Sequence, residues 1–168
     1  ARSTKDVLTS MSKNRFIIAG GGIGGLAAAL GLAQKGYGSI VLEKSSELSE
    51  IGAGIQLGPN AFHSFDYLGV GDAARKNAVY VDQLRLMDAV SGDEIMHIPL
   101  DEPFRKRFGN PYAVVHRGDL YAVLLRSCQD NDLIEMRVNS DVVGYDQDGN
   151  GVTANLANGE GVAGTALI

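Results

Sequence analysis

An α/β fold built on a parallel sheet, with an added antiparallel β segment, is predicted for this chain of 168 residues by three observations. First, strand, turn, helix and strand signals follow one another between Arg15 and Glu43. Second, the turn in that series is a glycine run, Gly20-Gly21-Gly22-Ile23-Gly24-Gly25. Third, alternating segments broken by Asp-Gly and Asn-Gly pairs fill the later part of the chain, which is the pattern of β-hairpins.

Residues 1–10 carry no usable periodicity and read as an appended or disordered leader before Met11. Arg15 to Ala19 reads as a short buried strand. Ile23 to Lys35 reads as a helix, with Leu26, Leu30 and Ala33 at helical spacing. Ser39 to Glu43 is a second buried strand, so the series is a βαβ unit with its two strands parallel. Lys44 to Gly58 reads as a polar loop. Pro59 then opens a helix striped by Ala61, Phe62, Phe65 and Leu68 and ended by Gly69. A short helix follows near Asp72 to Lys76.

Val79 to Met87 and Glu94 to Ile98 alternate as strands around Ser91-Gly92-Asp93. Asp101 to Gly109 is charged and reads as a loop. Pro111 to His116 is a strand. Asp119 reads as the cap of a helix running through Ser127, with Leu120, Val123 and Leu124 inward. Strands are expected at Ile134 to Val138, Ser140 to Tyr145 and Gly151 to Leu156. The chain stops in an apolar strand at Ala166-Leu167-Ile168, so a truncated piece of a longer protein is expected.

Composition narrows the function. Lys and Arg number 15 against 20 Asp and Glu, a net charge of −5, which lacks the basic footprint of a nucleic-acid binder. No nucleic-acid partner is expected. The single cysteine, Cys128, excludes an internal disulfide and a cysteine-built zinc site, and no histidine pair has metal-ligand spacing, so no metal site is expected. His63 reads as a partly buried packing residue. The uncharged stretch from Phe16 to Ala33 reaches the lower limit for a membrane span, roughly 17 residues. Its glycines, each costing a helix interior about 1 kcal/mol relative to Ala, argue instead for strand, turn and helix. No stable membrane insertion is expected, and a cytoplasmic location is.

The glycine run satisfies GxGxxG at Gly20, Gly22 and Gly25. Between a strand and a helix, such glycines permit a tight turn, close approach of backbone to a pyrophosphate, and close packing of helix on strand. An anion bound there meets open N–H groups and the positive end of the helix dipole. Glu43 ends the second strand about 20 residues beyond, where a carboxylate can accept from both ribose hydroxyls of an adenosine. It also repels a 2′-phosphate, so FAD or NAD is expected at this site and NADP is not. Together these features predict a Rossmann-like FAD/NAD(P)-binding domain. The alternative is a packing turn of glycines with Glu43 as a solvated strand end.

Four stretches carry a resemblance to a known family: FIIAGGGIGGLAAALGLAQKGY at 16–37, VLEK at 41–44, EIGAGIQLGPNAFHSFDYLG at 50–69 and VVHRGDLYAVLL at 114–125. The chain resembles the N-terminal part of flavin-dependent aromatic hydroxylases, the salicylate-hydroxylase-like group, and within it the 3-hydroxybenzoate 6-hydroxylases. The resemblance runs from about Arg15 to the end of the chain. It implies FAD as cofactor, with Gly20, Gly22, Ile23, Gly24 and Gly25 at the pyrophosphate, and Glu43 with its neighbour Lys44 at the ribose. It implies that Arg117 reaches the ribityl–pyrophosphate region, that Ala53 and Gly54 lie in a loop passing near the flavin, and that Val143 faces the adenine through its backbone. A surface arginine, an ordinary turn and a plain core valine are the respective alternatives.

The resemblance further implies an enzyme in which NADH or NADPH reduces FAD and oxygen is used to hydroxylate a phenolic acid such as 3-hydroxybenzoate or salicylate. No catalytic residue is expected within this chain, and the small aromatic acid would be held by segments outside it. The implied organisation is a first FAD-binding part at 11–78, the start of a substrate-domain sheet at 79–113, and a second FAD-binding part at 114–168. Apolar strands near 79–98 and 163–168 are expected either to self-associate, giving a homo-oligomer, or to be disordered. An NAD-dependent Rossmann oxidoreductase and a non-catalytic dinucleotide-binding module are the rival functions.

Overall fold

The computed structural model describes residues 15–49 and 52–168, so the expected leader at 1–10 lies outside the described residues. These residues form two compact units, one of residues 15–49 with 124–168 and the other of residues 52–123.

The first unit holds β1 (Arg15–Ala19), α1 (Ile23–Gln34) and β2 (Gly38–Leu42), then β8 (Ile134–Arg137), β9 (Val142–Asp148), β10 (Gly151–Leu156), β11 (Gly161–Gly164) and β12 (Ala166–Leu167). Its main sheet has the order β12-β1-β2-β8, and each neighbouring pair is parallel. The register of β1 on β2 runs from Arg15 opposite Gly38 to Ala19 opposite Leu42. Ile17 and Ile18 in β1, and Ile40, Val41 and Leu42 in β2, are all buried. Consecutive apolar residues are what a parallel sheet covered on both faces requires. On one face, Ile17, Ile40 and Leu42 pack with Val152, Ala154, Leu156 and Val162 of the antiparallel sheet β11-β10-β9. α1 runs between the two parallel strands and buries Leu26, Ala29 and Leu30. The expected α/β fold with its βαβ start and added antiparallel segment is therefore present.

The second unit holds β3 (Gly54–Leu57), α2 (Pro59–Tyr67), α3 (Gly71–Lys76), β4 (Val79–Tyr80), β5 (Gln83–Met87), β6 (Glu94–Pro99), α4 (Glu102–Phe108), β7 (Ala113–His116) and the first turns of α5 (Arg117–Gln129). Here β3 and β4 flank β7 in an antiparallel sheet, and β5 and β6 form a separate hairpin. Phe62 and Phe65 are buried on the inner stripe of α2, as their spacing predicts, and their rings meet edge to face. Pro59 stands at the start of α2 behind Gly58.

Five expectations need correction. The stretch 44–58 is not all loop: Gly54–Leu57 is β3, paired with β7 from Gly54 opposite His116 to Leu57 opposite Ala113. Its partner is far along the chain, so no local pattern announces it. Asp101 to Gly109 is helical rather than looped. α4 buries no residue and so shows no apolar stripe, but its ends carry the right signals. Asp101 is the N-cap, Glu102 and the basic run Arg105-Lys106-Arg107 complement the helix dipole, and Gly109 closes the helix in the left-handed conformation at φ 72°.

Asp119 is not a cap, because α5 already begins at Arg117 and Asp119 falls in its first turn. Val79 to Met87 is not one strand; it splits into β4, which joins β7, and β5, which joins β6. His63 is exposed rather than packed. Its Nε2 lies 3.1 Å from the Phe108 carbonyl and its Nδ1 3.3 Å from Asn110 Nδ2.

Candidate dinucleotide site

The carboxyl ends of β1 and β2 point to the same edge of the parallel sheet, and this edge is where open α/β sheets bind ligands. The turn that leaves β1 begins at Gly20, whose φ of +113° suits a residue without a Cβ. Gly20 donates its N–H to the Leu42 carbonyl at 2.8 Å, tying the turn to the end of β2. At Gly25 a Cβ would stand 2.0 Å from the Gly20 carbonyl oxygen and 3.2 Å from Ile18 Cγ2. Only glycine lets α1 approach the turn this closely.

At Gly22 and Gly24, by contrast, a Cβ would meet nothing within 4 Å. Gly22 is the N-cap of α1, no side chain caps the helix, and its first turn holds no acidic residue. The first intrahelical bond runs from Leu26 N–H to the Gly22 carbonyl at 2.9 Å. The amides of Ile23, Gly24 and Gly25 are thus left for a ligand or water. A glycine-lined, positively polarised helix end with open space before it suits an anion.

Glu43 follows β2 directly. Its carboxylate accepts the Gly21 N–H at 2.7 Å and the Ser45 N–H at 2.9 Å. Partial burial pushes its pKa upward, but the N–H groups of Ser45 and Gly21 and the nearby Lys44 ammonium outweigh this and hold the carboxyl below its ordinary range. Two N–H donors leave lone pairs on both oxygens for further donors. An open cleft of about 250 Å³ is lined by Ala19, Gly20, Leu42, Glu43 and Lys44 together with a wall of Ser140, Asp141 and Val142.

Gly20, Glu43 and Lys44 thus share one cleft, with the Gly22–Gly25 turn continuing from its wall. Val143 is not among the lining residues, and its side chain is 64% exposed. Ser140 to Val142 form that wall instead. Ala53, Gly54 and Arg117 gather separately in the second unit. There Arg117 donates its N–H to the Ala53 carbonyl at 3.1 Å, and Gly54 pairs with His116. A Cβ at Gly52 would collide with His116 Cε1 at 2.8 Å and with the Gly118 nitrogen at 2.9 Å, so this loop lies tight against the start of α5.

Gly21, Ser45, Ser140 and Asp141 escaped the sequence reading. Gly21 lies in the glycine run at a position GxGxxG leaves open, and the other three carry no motif. Cys128 is fully buried, its thiol is pushed up to about 11 by desolvation, and its Sγ lies 3.5 Å from the Leu26 carbonyl oxygen. Among the described residues no group of three or more His, Cys, Asp or Glu could hold a metal ion. No described helix is long and apolar enough to cross a membrane.

Strand order, glycine turn and carboxylate together define a dinucleotide-binding domain of the Rossmann type. The chain matches the FAD binding domain family over residues 13–166, and it belongs to that family. It is 52% identical over 155 residues to 3-hydroxybenzoate 6-hydroxylase 1 of Aquipseudomonas alcaligenes, covering 92% of this chain and 39% of that protein. It is 49% identical over 152 residues to 3-hydroxybenzoate 6-hydroxylase of Polaromonas naphthalenivorans (strain CJ2), covering 90% and 38%. The crystal structure of Klebsiella pneumoniae HpxO complexed with FAD and uric acid superposes with a TM-score of 0.77 at 28% identity, covering 91% of this chain and 38% of that one. The chain therefore spans about two fifths of the length of the curated relatives it matches.

Proposed function

We propose that this chain holds the adenosine diphosphate half of FAD in a monooxygenase that uses NADH or NADPH and oxygen to hydroxylate a phenolic acid, 3-hydroxybenzoate being the first candidate. The observation that carries the cofactor reading is the uncapped glycine end of α1 beside the Glu43 carboxylate. The substrate reading is supported by the names of relatives that are 52% and 49% identical.

In this reading the amides from Gly22 to Gly25 hold the diphosphate, with Gly20 setting the turn and Ile23 and Gly24 supplying N–H groups. Glu43 accepts from the ribose hydroxyls, and Lys44 moderates the charge of the cleft. Ala53, Gly54 and Arg117 form a second patch for the ribityl and flavin end, where the forked guanidinium suits a phosphate or polyol. Val143 contributes backbone toward the adenine, next to the wall at Ser140 to Val142. The open space beside Gly22 and Gly24, and the exclusion of any Cβ at Gly25, fit a pyrophosphate lying on this turn. When bound, FAD would supply the redox chemistry, taking electrons from the nicotinamide and delivering them to oxygen. The protein supplies binding, orientation and exclusion of water.

Calorimetric titration of the chain with FAD, and separately with NAD, tests the reading. FAD is expected to bind, weakly because this chain holds only part of it, and more tightly than NAD. Stabilisation by NAD with no response to FAD would overturn the proposal in favour of an NAD-dependent oxidoreductase.

A further inference from the structure

Asn139 is the one non-glycine residue with left-handed backbone among the described residues, at φ 52°. Such a conformation is uncommon outside glycine, and asparagine tolerates it better than most residues. An outlier of this kind persists where the surroundings over-determine it. The surroundings here are the segment that carries Glu43.

The regular pairing of β2 with β8 ends at Leu42 opposite Arg137. Beyond it, three backbone bonds continue the pairing around the glutamate. Glu43 donates its N–H to the Arg137 carbonyl at 2.8 Å, Ser140 donates its N–H to the Glu43 carbonyl at 2.8 Å, and Asn139 donates its N–H to the Ser45 carbonyl at 2.9 Å. Ser45 in turn donates its own N–H to Glu43 Oε1. Ser140 is buried, and its Oγ donates to the Val138 carbonyl at 3.1 Å. The left-handed residue lets both its own N–H and the next one face the Glu43–Ser45 segment.

We propose that Asn139 is a positioning residue of the ribose site: its left-handed turn holds Ser45, and through Ser45 the Glu43 carboxylate, in the orientation that meets the ribose hydroxyls. The proposal rests on the reading of Glu43 as the ribose carboxylate. It assigns a role in nucleotide recognition to a residue that lines no part of the cleft and belongs to no motif.

The test is the affinity of the chain for ADP relative to 2′-deoxy-ADP, measured by calorimetry. A loss of folding lowers both affinities, whereas a misdirected Glu43 lowers only the preference for the 2′-hydroxyl. The unsubstituted chain is expected to prefer ADP about tenfold, the worth of one hydrogen bond to a charged group. Asn139→Val should bring the ratio close to one, because a β-branched residue resists the left-handed region. Asn139→Gly should keep the preference.

If the valine variant does not fold, Asn139→Ala, which resists that region less, carries the same comparison. A valine or alanine variant with the unsubstituted ratio, or a glycine variant that also loses it, overturns the positioning role. If Glu43→Ala leaves the ratio unchanged, the ribose assignment itself is wrong and the role of Asn139 falls with it.

Discussion

Gly21 donates its backbone N–H to Glu43 Oε2 at 2.7 Å, joining the turn after β1 to the first residue after β2. The approach is close enough that a Cβ at Gly21 would stand 2.9 Å from Leu48 Cδ2 and 3.2 Å from Glu43 Cβ. The bond spends one N–H of the glycine run on a protein carboxylate, leaving the amides at the helix end for the ligand. It also fixes one carboxylate oxygen before any nucleotide arrives, which lowers the ordering cost of binding.

The glycines of the turn should separate into two kinds. Gly25→Ala places a methyl 2.0 Å from the Gly20 carbonyl oxygen, and rigid backbone cannot yield cheaply. It is expected to lower stability by about 3 kcal/mol or more, at the upper end of overpacking costs, and to abolish FAD binding. Gly22→Ala meets open space at an ordinary φ of −73°, so the fold should survive while FAD affinity falls. Thermal melts paired with FAD titrations check both, and equal melting losses in the two variants would contradict the division.

Glu43→Ala is expected to weaken FAD binding by about tenfold to a hundredfold, since hydrogen bonds to charged groups contribute roughly 1.5–3 kcal/mol. Unchanged affinity would remove Glu43 from the site. The pH dependence follows from its lowered pKa. A carboxyl depressed in the folded state contributes stability that is present above its unfolded value, near pH 4.3, and is lost as pH falls through the lower folded value. The stability difference between the unsubstituted chain and Glu43→Ala should therefore be flat from about pH 8 to 5 and shrink in acid below about pH 4. Denaturant melts across pH read it directly.

Gly71 is expected to matter through an ion pair. Arg75 grips Asp66 with both terminal nitrogens, and its Nη2 also donates to Asn110 Oδ1 at 2.7 Å. A Cβ at Gly71 would stand 1.9 Å from Asp66 Oδ1. The far end of a side chain can swing away, so Gly71→Ala should break the pair rather than the fold, at about 1 kcal/mol in low salt for so exposed a pair. Asp66→Ala should cost a similar amount, and the double variant little more than either alone. Additive losses would show that Gly71 acts elsewhere.

Cys128 should be unreactive in the native chain. Full burial and a thiol pushed up to about 11 leave almost no thiolate at neutral pH. Iodoacetamide is expected to label it only after denaturation; rapid labelling of folded protein would show that the helix carrying it opens.

The β5–β6 hairpin exposes Leu86, Met87, Ile95, Met96 and Ile98. A two-stranded hairpin with apolar residues in water invites pairing, so we expect this chain on its own to self-associate. Light scattering during gel filtration decides the point, and a monodisperse monomer would refute it. Glu substitutions at Ile95 and Ile98 should shift the chain toward monomer.

The sequence by itself determined the βαβ core, because its signals are local. Apolar runs at Phe16–Ala19 and Ile40–Leu42 mark strands covered on both faces, Leu26 and Leu30 mark a helix, and a glycine run between strand and helix has few stable geometries. Glu43 was legible for the same reason, through its fixed offset from that run. The tertiary structure decided what depends on distant partners. β3 is a strand because β7 pairs with it, and Val79–Met87 splits because its two ends find different partners. The Glu43 carboxylate is held by the N–H groups of Gly21 and Ser45, and the backbone of the Glu43–Ser45 segment meets Ser140 and the left-handed Asn139 only when β8 lies beside β2. Local propensity sets each segment's own conformation, whereas hydrogen bonds between segments far apart in sequence exist only after the chain has closed on itself.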